Sequence, residues 1–248
     1  MKALMQLFAI CPTVSKTQNR WDVIIPPALL WEQYERIIKP NGVILLFGQD
    51  KFTATMMLSN PKLHRYNIIW DKVLKSGFLN SRKMPLREHE DIMVFYKSPP
   101  PYHPQMVKGE KNHSKGQAVG KQAEDIHSNR SYGNYTLVES SDSDLKYPSS
   151  IWIFPKPHPS VALHSTEKPV ELLRYAIRTF TNPGDLVLDN CCGTGSTLIA
   201  AKAEGRRYIG IDNGICDKKK SHYYGIPWAE VAKLRLEEID YVSGVECS

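Results

Sequence analysis

The sequence lacks a long apolar run, and its cysteines form no framework. No stretch approaches the roughly 18 apolar residues of a membrane span, and no small-residue cleavage site of a signal peptide follows the N-terminal segment, so we expect a cytoplasmic protein without membrane contact. The five cysteines are Cys11, Cys191, Cys192, Cys216 and Cys247. An odd number without a Cys-x-x-Cys pair is typical of a reduced protein, and the sequence predicts no metal site.

Composition excludes several classes of protein. Of the 248 residues, 42% are hydrophobic and 23% are charged, which is globular usage and excludes disorder, collagen and a coiled coil. This length predicts one domain with an elaboration or two small domains. The net charge of +6 favours a polyanionic partner only weakly, because many soluble enzymes share it.

Helical segments and continuous apolar segments alternate along the chain. We predict helices over 26–39, 52–58, 169–180, 196–204 and 228–239, and strands over 43–47, 66–70, 91–96, 151–153, 186–188 and 207–211. Strands that are apolar throughout are typical of a sheet covered on both faces. The pattern therefore predicts an α/β domain with a mostly parallel sheet.

The segment 98–150 has a different texture. It shows no hydrophobic periodicity, and prolines cluster at 99–101. From Lys97 to Arg130 the sequence contains six lysines and arginines but only three acidic residues. A segment of this length without regular structure is uncommon inside a compact domain, and it is either functional or a solvated, mobile loop. Composition alone leaves both interpretations open.

A glycine-rich loop joins a predicted strand to a predicted helix. Its sequence is DNCCGTGS over residues 189–196, and Asp212 follows at the end of the next strand. Glycines let the backbone approach a ligand, and a carboxylate at the second strand end can accept hydrogen bonds from two ribose hydroxyls. The arrangement predicts a nucleotide-type cofactor, although glycine turns between a strand and a helix also occur for steric reasons alone.

The loop does not fit a dinucleotide or a nucleoside triphosphate. It lacks the third glycine of a dinucleotide site and the Gly-Lys-Ser/Thr of a phosphate loop. An acid placed before Gly-x-Gly, as Asp189 is before Gly193 and Gly195, resembles the D-x-x-x-G-x-G of S-adenosylmethionine (SAM) methyltransferases. Because most of the other predicted strands precede this loop, the order resembles a circularly permuted methyltransferase.

Three stretches together resemble the DNA amino-methyltransferases of β-type order, in which a catalytic motif precedes a target-recognition insert and the cofactor motif comes last. They are PLREHEDIMVF at 85–95, HSTEKP at 164–169 and the loop at 189–196, and the resemblance covers residues 16–238. It implies an α/β, Rossmann-like, doubly wound mixed sheet, circularly permuted. Residues 1–97 and 151–248 would form the catalytic and cofactor domain, with a target-recognition insert at 98–150.

The resemblance also implies site residues. HSTEKP is similar to the family stretch that leads into a helix and holds the carboxylate of SAM, although ordinary helix capping also explains Thr166 and Lys168. The implied cofactor-binding residues are His164, Thr166, Lys168, Pro169, Asp189, Cys191, Gly193, Gly195 and Asp212. The implied phosphate contacts of the insert are Lys108, Lys111, Lys115, Lys121 and Arg130.

The family's catalytic motif is absent from the place where the resemblance puts it. Members carry Asp/Asn/Ser-Pro-Pro-Tyr or Asp-Leu-Pro-Tyr, whose oxygens accept hydrogen bonds from the target amine and whose ring stacks on the flipped base. The corresponding residues here are Cys11, Pro12, Thr13 and Val14. A thiol is a poor acceptor and a valine cannot stack, so the motif is degenerate.

The genetic code offers an explanation for the degenerate motif. Residues 9–14, Ala-Ile-Cys-Pro-Thr-Val, can be encoded GCG ATT TGC CCT ACG GTN. Read from the last base of the first codon, this string becomes GAT TTG CCC TAC GGT, which encodes Asp-Leu-Pro-Tyr-Gly. We hypothesise that two compensating single-base shifts mask the motif. Resequencing would reject this if the confirmed codons do not encode the motif one base early.

The resemblance implies a site-specific DNA methyltransferase that uses SAM, flips its target base and methylates an exocyclic amine directly. Asp-Leu-Pro-Tyr favours adenine N6 over cytosine N4, because the cytosine-N4 members more often carry Ser at the first position. Two alternatives stay open, namely a catalytically inactive remnant that binds SAM and DNA, and an RNA methyltransferase. The expected partners are double-stranded DNA and a cognate restriction endonuclease, with a monomer and a homodimer both open.

Overall fold

The computed structural model describes residues 6–9, 25–109, 126–129, 133–136 and 144–245. The chain divides into two compact units, one formed by Met1–His103 with Ser149–Ser248 and the other by Pro104–Pro148. The second unit is shorter at both ends than the predicted insert at 98–150. Residues up to 103 belong to the first unit because the His103 amide donates to the Thr179 carbonyl at 2.8 Å.

The helices and strands follow the apolar pattern of the sequence closely. The helices are α1 (Pro27–Ile37), α2 (Asp50–Ser59), α3 (Val170–Phe180), α4 (Ser196–Ala203) and α5 (Trp228–Val245). The strands are β1 (Gln6–Ala9), β2 (Ile44–Gly48), β3 (His64–Ser76), β4 (Arg87–Phe95), β5 (Val107–Lys108), β6 (Ile126–Asn129), β7 (Gly133–Thr136), β8 (Leu145–Lys146), β9 (Ile151–Ile153), β10 (Leu186–Asp189) and β11 (Arg207–Gly210). None of the described helices is both long and apolar enough to span a bilayer.

Seven strands of the first unit form one mixed sheet in the order β11-β10-β1-β2-β4-β3-β9. β4 runs antiparallel to both of its neighbours, whereas the other neighbouring pairs are parallel. β1 therefore lies inside the sheet, between β10 and β2. The predicted mostly parallel sheet is confirmed, and β4 makes it mixed.

The sheet is covered on both faces, as its continuous apolar strands predict. Leu45 and Phe47 of β2 pack in one core cluster with α3 and α4. Ile44 and Leu46, the alternate residues of the same strand, pack with Leu30 of α1 and with α2 on the other side. Since successive side chains of a strand point to opposite faces, one buried strand serves both cores. The doubly wound α/β architecture is confirmed.

The second unit contradicts the expectation that the insert is without regular structure. β5 pairs with β8 and β6 pairs with β7, each as a short antiparallel ladder. Such ladders satisfy backbone hydrogen bonds locally and do not require the apolar periodicity by which longer strands are recognised. The predicted strand at 66–70 is also longer in the structure, where β3 has 13 residues.

Candidate active site

The carboxyl ends of four parallel strands meet at one edge of the sheet. Asp189, the last residue of β10, pairs with Gly210, the last residue of β11. β1 pairs with β10 through Leu7 and Leu188, and its last residue, Ala9, pairs with β2. In open α/β sheets ligands bind outside the carboxyl ends of the strands. The glycine loop and Asp212 follow strands that end at this edge, and β1 ends there too.

The two glycines of the loop are required for different structural reasons. Gly195 has a φ of +81°, and a Cβ atom there would lie 2.6 Å from the Cβ of Ala232 in α5. Gly193 has a φ of +47°, and outside Gly193 and its two chain neighbours no described atom lies within 4 Å of the Cβ that would replace its hydrogen. Helix packing therefore requires Gly195, whereas Gly193 combines a left-handed backbone with an open side that a ligand can approach.

Asp212 ties the glycine loop to the segment that follows β11. Its Oδ2 accepts a hydrogen bond from the Gly193 amide at 2.8 Å, and its Oδ1 accepts one from the Gly214 amide at 2.8 Å. Each carboxylate oxygen can accept further bonds. The two bonds fix the orientation of the Asp212 carboxylate. Its role as an acceptor for ribose hydroxyls stays a prediction.

The start of the loop contains a buried carboxylate, Asp189, and two cysteines, Cys191 and Cys192. Asp189 is fully buried, and its Oδ1 accepts a hydrogen bond from the Cys191 amide at 3.0 Å. Burial, together with the charges of Asp189 and Asp212, raises the pKa of the Cys192 thiol to about 12. Cys192 is therefore protonated at neutral pH, which excludes it as a thiolate nucleophile.

The side chains of His164 and Thr166 form a hydrogen bond with each other, and neither caps α3. The Thr166 hydroxyl lies 2.8 Å from His164 Nδ1, and the Thr166 amide donates to the same nitrogen at 3.3 Å. α3 begins at Val170, after Pro169, with no capping side chain. Burial is the largest influence on the pKa of His164 and lowers it below 6.5, so the ring is neutral at pH 7. Ordinary capping by Thr166 is thus the wrong interpretation.

Lys168 forms a buried ion pair that the sequence did not predict. Its ammonium is nearly inaccessible and lies 2.9 Å from Glu90 Oε2. Lys72 approaches the other oxygen of Glu90 at 3.4 Å. Burial alone would raise the pKa of Glu90, but the charges of Lys168 and Lys72 outweigh it and the pKa lies below 4.5. Lys168 is therefore not a helix cap, and its contact with a carboxylate of SAM stays a prediction.

Glu167 connects three parts of the site, and sequence reasoning assigned it no role. Its Oε1 accepts hydrogen bonds from the hydroxyls of Thr194 and Ser196, at 3.1 and 3.3 Å, and from Arg235 Nη1 at 3.2 Å. Its Oε2 accepts one from the Leu163 amide at 2.7 Å. The carboxylate thereby fixes the HSTEKP stretch against the glycine loop and α5.

The pattern along β4 contains the signal that identifies Glu90. Glu90, Ile92 and Val94 alternate along the strand, so they share one face, and the two apolar residues are fully buried. A carboxylate on a core face requires a cation, and HSTEKP supplies one. Tyr34 was also missed: its hydroxyl donates to Asn190 Oδ1 of the glycine loop at 3.0 Å.

The predicted catalytic and DNA-binding residues lie mostly outside the described residues. Cys11, Pro12, Thr13 and Val14 begin two positions after β1 ends and are not described, and the same holds for Lys111, Lys115, Lys121 and Arg130. Lys108 of β5 is described, with 85% of its side chain exposed and its ammonium 3.8 Å from Asp144 Oδ2. Among the described residues, no group of three His, Cys, Asp or Glu side chains could hold a metal ion.

Comparison with known proteins finds similarity to DNA methylases. A family model described as DNA methylase matches residues 28–218. The Type II methyltransferase M2.DpnII of Streptococcus pneumoniae is 38% identical over 184 residues, which cover 72% of this chain. The DNA adenine methyltransferase YhdJ of Escherichia coli K12 is 35% identical over 184 residues, which cover 71% of this chain. Each match spans 58% of the relative's own length.

The fold has solved counterparts. The structure of the M1.HpyAVI–SAM complex matches with a TM-score of 0.57 and 18% sequence identity, covering 94% of this chain and 89% of that one. At this identity the likeness establishes the fold alone, and it agrees with the Rossmann-like sheet that the family resemblance implies.

Proposed function

The chain belongs to the DNA methylase family, and from that premise we propose that the enzyme, with its masked Asp-Leu-Pro-Tyr motif restored, transfers a methyl group from SAM to an exocyclic amine of duplex DNA, the N6 of adenine. The observation that carries the proposal is the contact between the Gly193 amide and Asp212. It joins the glycine loop to the acid of the next strand at the edge where nucleotide-type cofactors bind.

The site residues fit SAM. Gly193 leaves an open side next to a left-handed backbone, and Asp212 presents a fixed carboxylate to ribose hydroxyls. Asp189 and the HSTEKP stretch would hold the methionine end, with Glu167 fixing that stretch against the loop. SAM supplies a methyl group activated by a positively charged sulfur.

A direct transfer requires two things of the protein. An acceptor oxygen must take hydrogen bonds from the target N–H, which leaves the nitrogen lone pair to attack, and an aromatic ring must hold the flipped base. Cys11 and Val14 offer neither. The position of β1 between β10 and β2 supports the alignment, because the residues after Ala9 then follow a strand that ends at the cofactor edge.

The test restores the motif in the full chain. The variant Cys11→Asp/Pro12→Leu/Thr13→Pro/Val14→Tyr creates Asp-Leu-Pro-Tyr at the four positions where the resemblance places the motif. We expect both chains to bind SAM in calorimetry, and only the restored chain to transfer labelled methyl from SAM to unmethylated DNA. Digestion to nucleosides should place the label on adenine N6. Label on cytosine N4 would reject the base assignment, and label on competing RNA would reject the DNA substrate.

A matched pair of acids controls the cofactor assignment. Asp212→Asn should weaken SAM binding at least about tenfold, because a charged acceptor becomes an amide that meets backbone N–H groups. Glu230→Gln removes the same charge from an exposed position of α5 and should leave SAM binding unchanged. Equal effects of the two variants would contradict the role of Asp212.

The degenerate residues favour a second candidate, a remnant that binds SAM and DNA without transfer. A restored chain that binds both ligands and stays inactive would establish it. The relative named a Type II methyltransferase supports the further proposal that a restriction endonuclease of the same specificity accompanies the protein. We also propose that the protein acts in the cytoplasm. Protection of host DNA from that nuclease in a cell carrying the restored gene would test both proposals.

A further inference from the structure

The connection between β3 and β4 exposes apolar side chains to an unusual extent. We call residues 73–85 the β3–β4 tip. Phe78 is 66% exposed and Leu79 fully exposed, and Leu74 and Met84 are exposed nearby. No residue of the tip is buried. Contiguous exposed apolar groups of this kind mark interaction surfaces more often than accidents of folding.

The tip is folded, so the exposure is a property of an ordered surface. Gly77 has a φ of +90° and starts a short 3-10 turn, in which the Asn80 amide donates to the Gly77 carbonyl at 2.9 Å. The Met84 amide then donates to the Asn80 carbonyl at 3.0 Å. These bonds hold Phe78 and Leu79 outward on a defined backbone.

The tip and its flanks are positively charged. Residues 72–87 contain five lysines and arginines and no acid. Lys72 and Arg87 pair with Glu90 and Asp50. Arg82 and Lys83 are exposed, and neither has an ion-pair partner among the residues that the structure describes. Two free cations next to apolar side chains are complementary to a polyanion that also offers apolar surface.

The tip lies at the cofactor edge of the sheet. β2 and β3 both run antiparallel to β4, so they run in the same direction. The carboxyl end of β3, from which the tip extends, is therefore at the edge where β10 ends in Asp189. A substrate that reaches the cofactor must approach this edge.

We propose that the β3–β4 tip binds duplex DNA next to the target base, an inference that rests on the proposed function. Arg82 and Lys83 contact phosphates, while Phe78 and Leu79 insert against base edges or between base steps, as apolar wedges do in proteins that open the duplex. Charge complementarity and the position of the tip favour DNA over a membrane or a second copy of the chain.

The test compares two double variants of the full chain that remove the same charge. Arg82→Gln/Lys83→Gln alters the tip, whereas Arg36→Gln/Lys62→Gln alters two exposed residues that precede β2 and β3, at the opposite edge of the sheet. The affinity for labelled unmethylated duplex is measured by anisotropy over a range of salt concentrations. We expect the tip variant to bind about tenfold more weakly, with the slope of log affinity against log salt reduced by about two. The control variant should match the parent chain.

A third variant separates the apolar contribution. Phe78→Ser/Leu79→Ser should lower the affinity roughly tenfold without changing the salt slope, and its thermal unfolding midpoint should match the parent because the replaced side chains are exposed. Competition with RNA, and sedimentation with phosphatidylserine vesicles, are measured for all variants.

The outcomes separate this inference from the proposed function. If the parent chain binds duplex DNA and SAM but the tip variants bind DNA equally well, the inference is wrong and the function stands. If the parent chain binds no duplex DNA, both are wrong. Vesicle binding that the tip variants abolish, with DNA binding unchanged, would assign the tip to a membrane and would also overturn the inference.

Discussion

Glu167 Oε1 lies 3.2 Å from Arg235 Nη1, although 68 residues separate the two in the chain. Arg235 also donates to the carbonyl of Thr194 at 2.6 Å. Glu167 belongs to HSTEKP, Thr194 to the glycine loop and Arg235 to α5. One ion pair thus sets the relative positions of the three segments that would surround the methionine end of SAM.

Glu167→Ala should lower both stability and cofactor affinity. The carboxylate is mostly buried and Arg235 partly so, and removing one partner leaves a poorly solvated cation. We expect the free energy of unfolding to fall by about 2–4 kcal/mol and SAM affinity to fall at least about tenfold. Urea denaturation and calorimetry measure the two effects.

Two further variants test the origin of this effect. Arg235→Ala and the Glu167→Ala/Arg235→Ala double variant complete a cycle in which the pair should couple by more than about 1 kcal/mol. Glu230→Ala removes an exposed carboxylate of the same helix, 3.9 Å from Lys233, and should change stability by less than about 0.5 kcal/mol. Additive effects of Glu167→Ala and Arg235→Ala would argue against the pair as the link.

Local apolar pattern accounts for much of the fold. The apolar run at 43–47 predicts β2, and the spacing of Leu173, Ile177 and Phe180 predicts α3, because burial of one face dominates in such segments. Local pattern does not specify which strands become neighbours, so the antiparallel entry of β4 between β2 and β3 could not be predicted. The strands β5 and β8 have only two residues each, which is too short for an alternating pattern to be recognised in the sequence.

The site residues that lie close together in the sequence could be predicted. Asp189, Gly193 and Gly195 stand within one loop, and Asp212 follows at the end of the next strand, so their spacing is visible in the sequence. The partners of Lys168 and Glu167 come from β4 and α5, far along the chain. A charge next to a buried position shows that a partner is needed, but only the tertiary structure shows which residue supplies it.

Glu90 should make stability depend on acid pH. Its pKa in the folded chain is below the ordinary 4.5 because Lys168 and Lys72 outweigh burial. A carboxyl with a lowered folded pKa stabilises the fold fully above its unfolded pKa and loses that contribution as the pH falls through the folded value. Stability measured by urea denaturation should therefore decline below about pH 4.5.

Glu90→Gln tests the source of this decline. The variant leaves two buried ammonium groups without a counter-charge, so we expect a loss of about 3–5 kcal/mol at pH 7 and a flatter profile below pH 4.5. Glu88→Gln is the control, since the carboxyl of Glu88 is partly exposed and 4.0 Å from Lys75. An unchanged acid profile in Glu90→Gln would assign the decline to other carboxyls.

His164 should add a second dependence at higher pH. Burial lowers its pKa below the ordinary 6.5, while Asp217, Asp212 and Glu167 act to raise it and Lys168 to lower it. Its contribution to stability is complete above pH 6.5 and is lost as the pH falls through the folded pKa. His164→Asn, which keeps an acceptor for the Thr166 amide, should remove the pH dependence that begins below 6.5. His222→Asn, at an exposed position, should keep it.

The glycine loop gives the sharpest comparison, because Gly193, Gly195 and Gly184 all have positive φ but different surroundings. Gly195→Ala places a methyl group 2.6 Å from Ala232 Cβ, whereas at Gly193 and Gly184 no described atom beyond the neighbouring residues lies within 4 Å of the new carbon. We expect Gly195→Ala to cost about 3 kcal/mol of unfolding free energy and the other two about 1 kcal/mol each, the cost of the left-handed backbone alone.

The same variants separate folding from cofactor binding. Gly193→Ala should weaken SAM binding at least about tenfold, because its methyl group occupies the side from which a ligand approaches the loop. Gly184→Ala, in the turn before β10, should leave SAM binding unchanged. Equal SAM affinities for Gly193→Ala and Gly184→Ala would show that the open side of Gly193 does not face the cofactor.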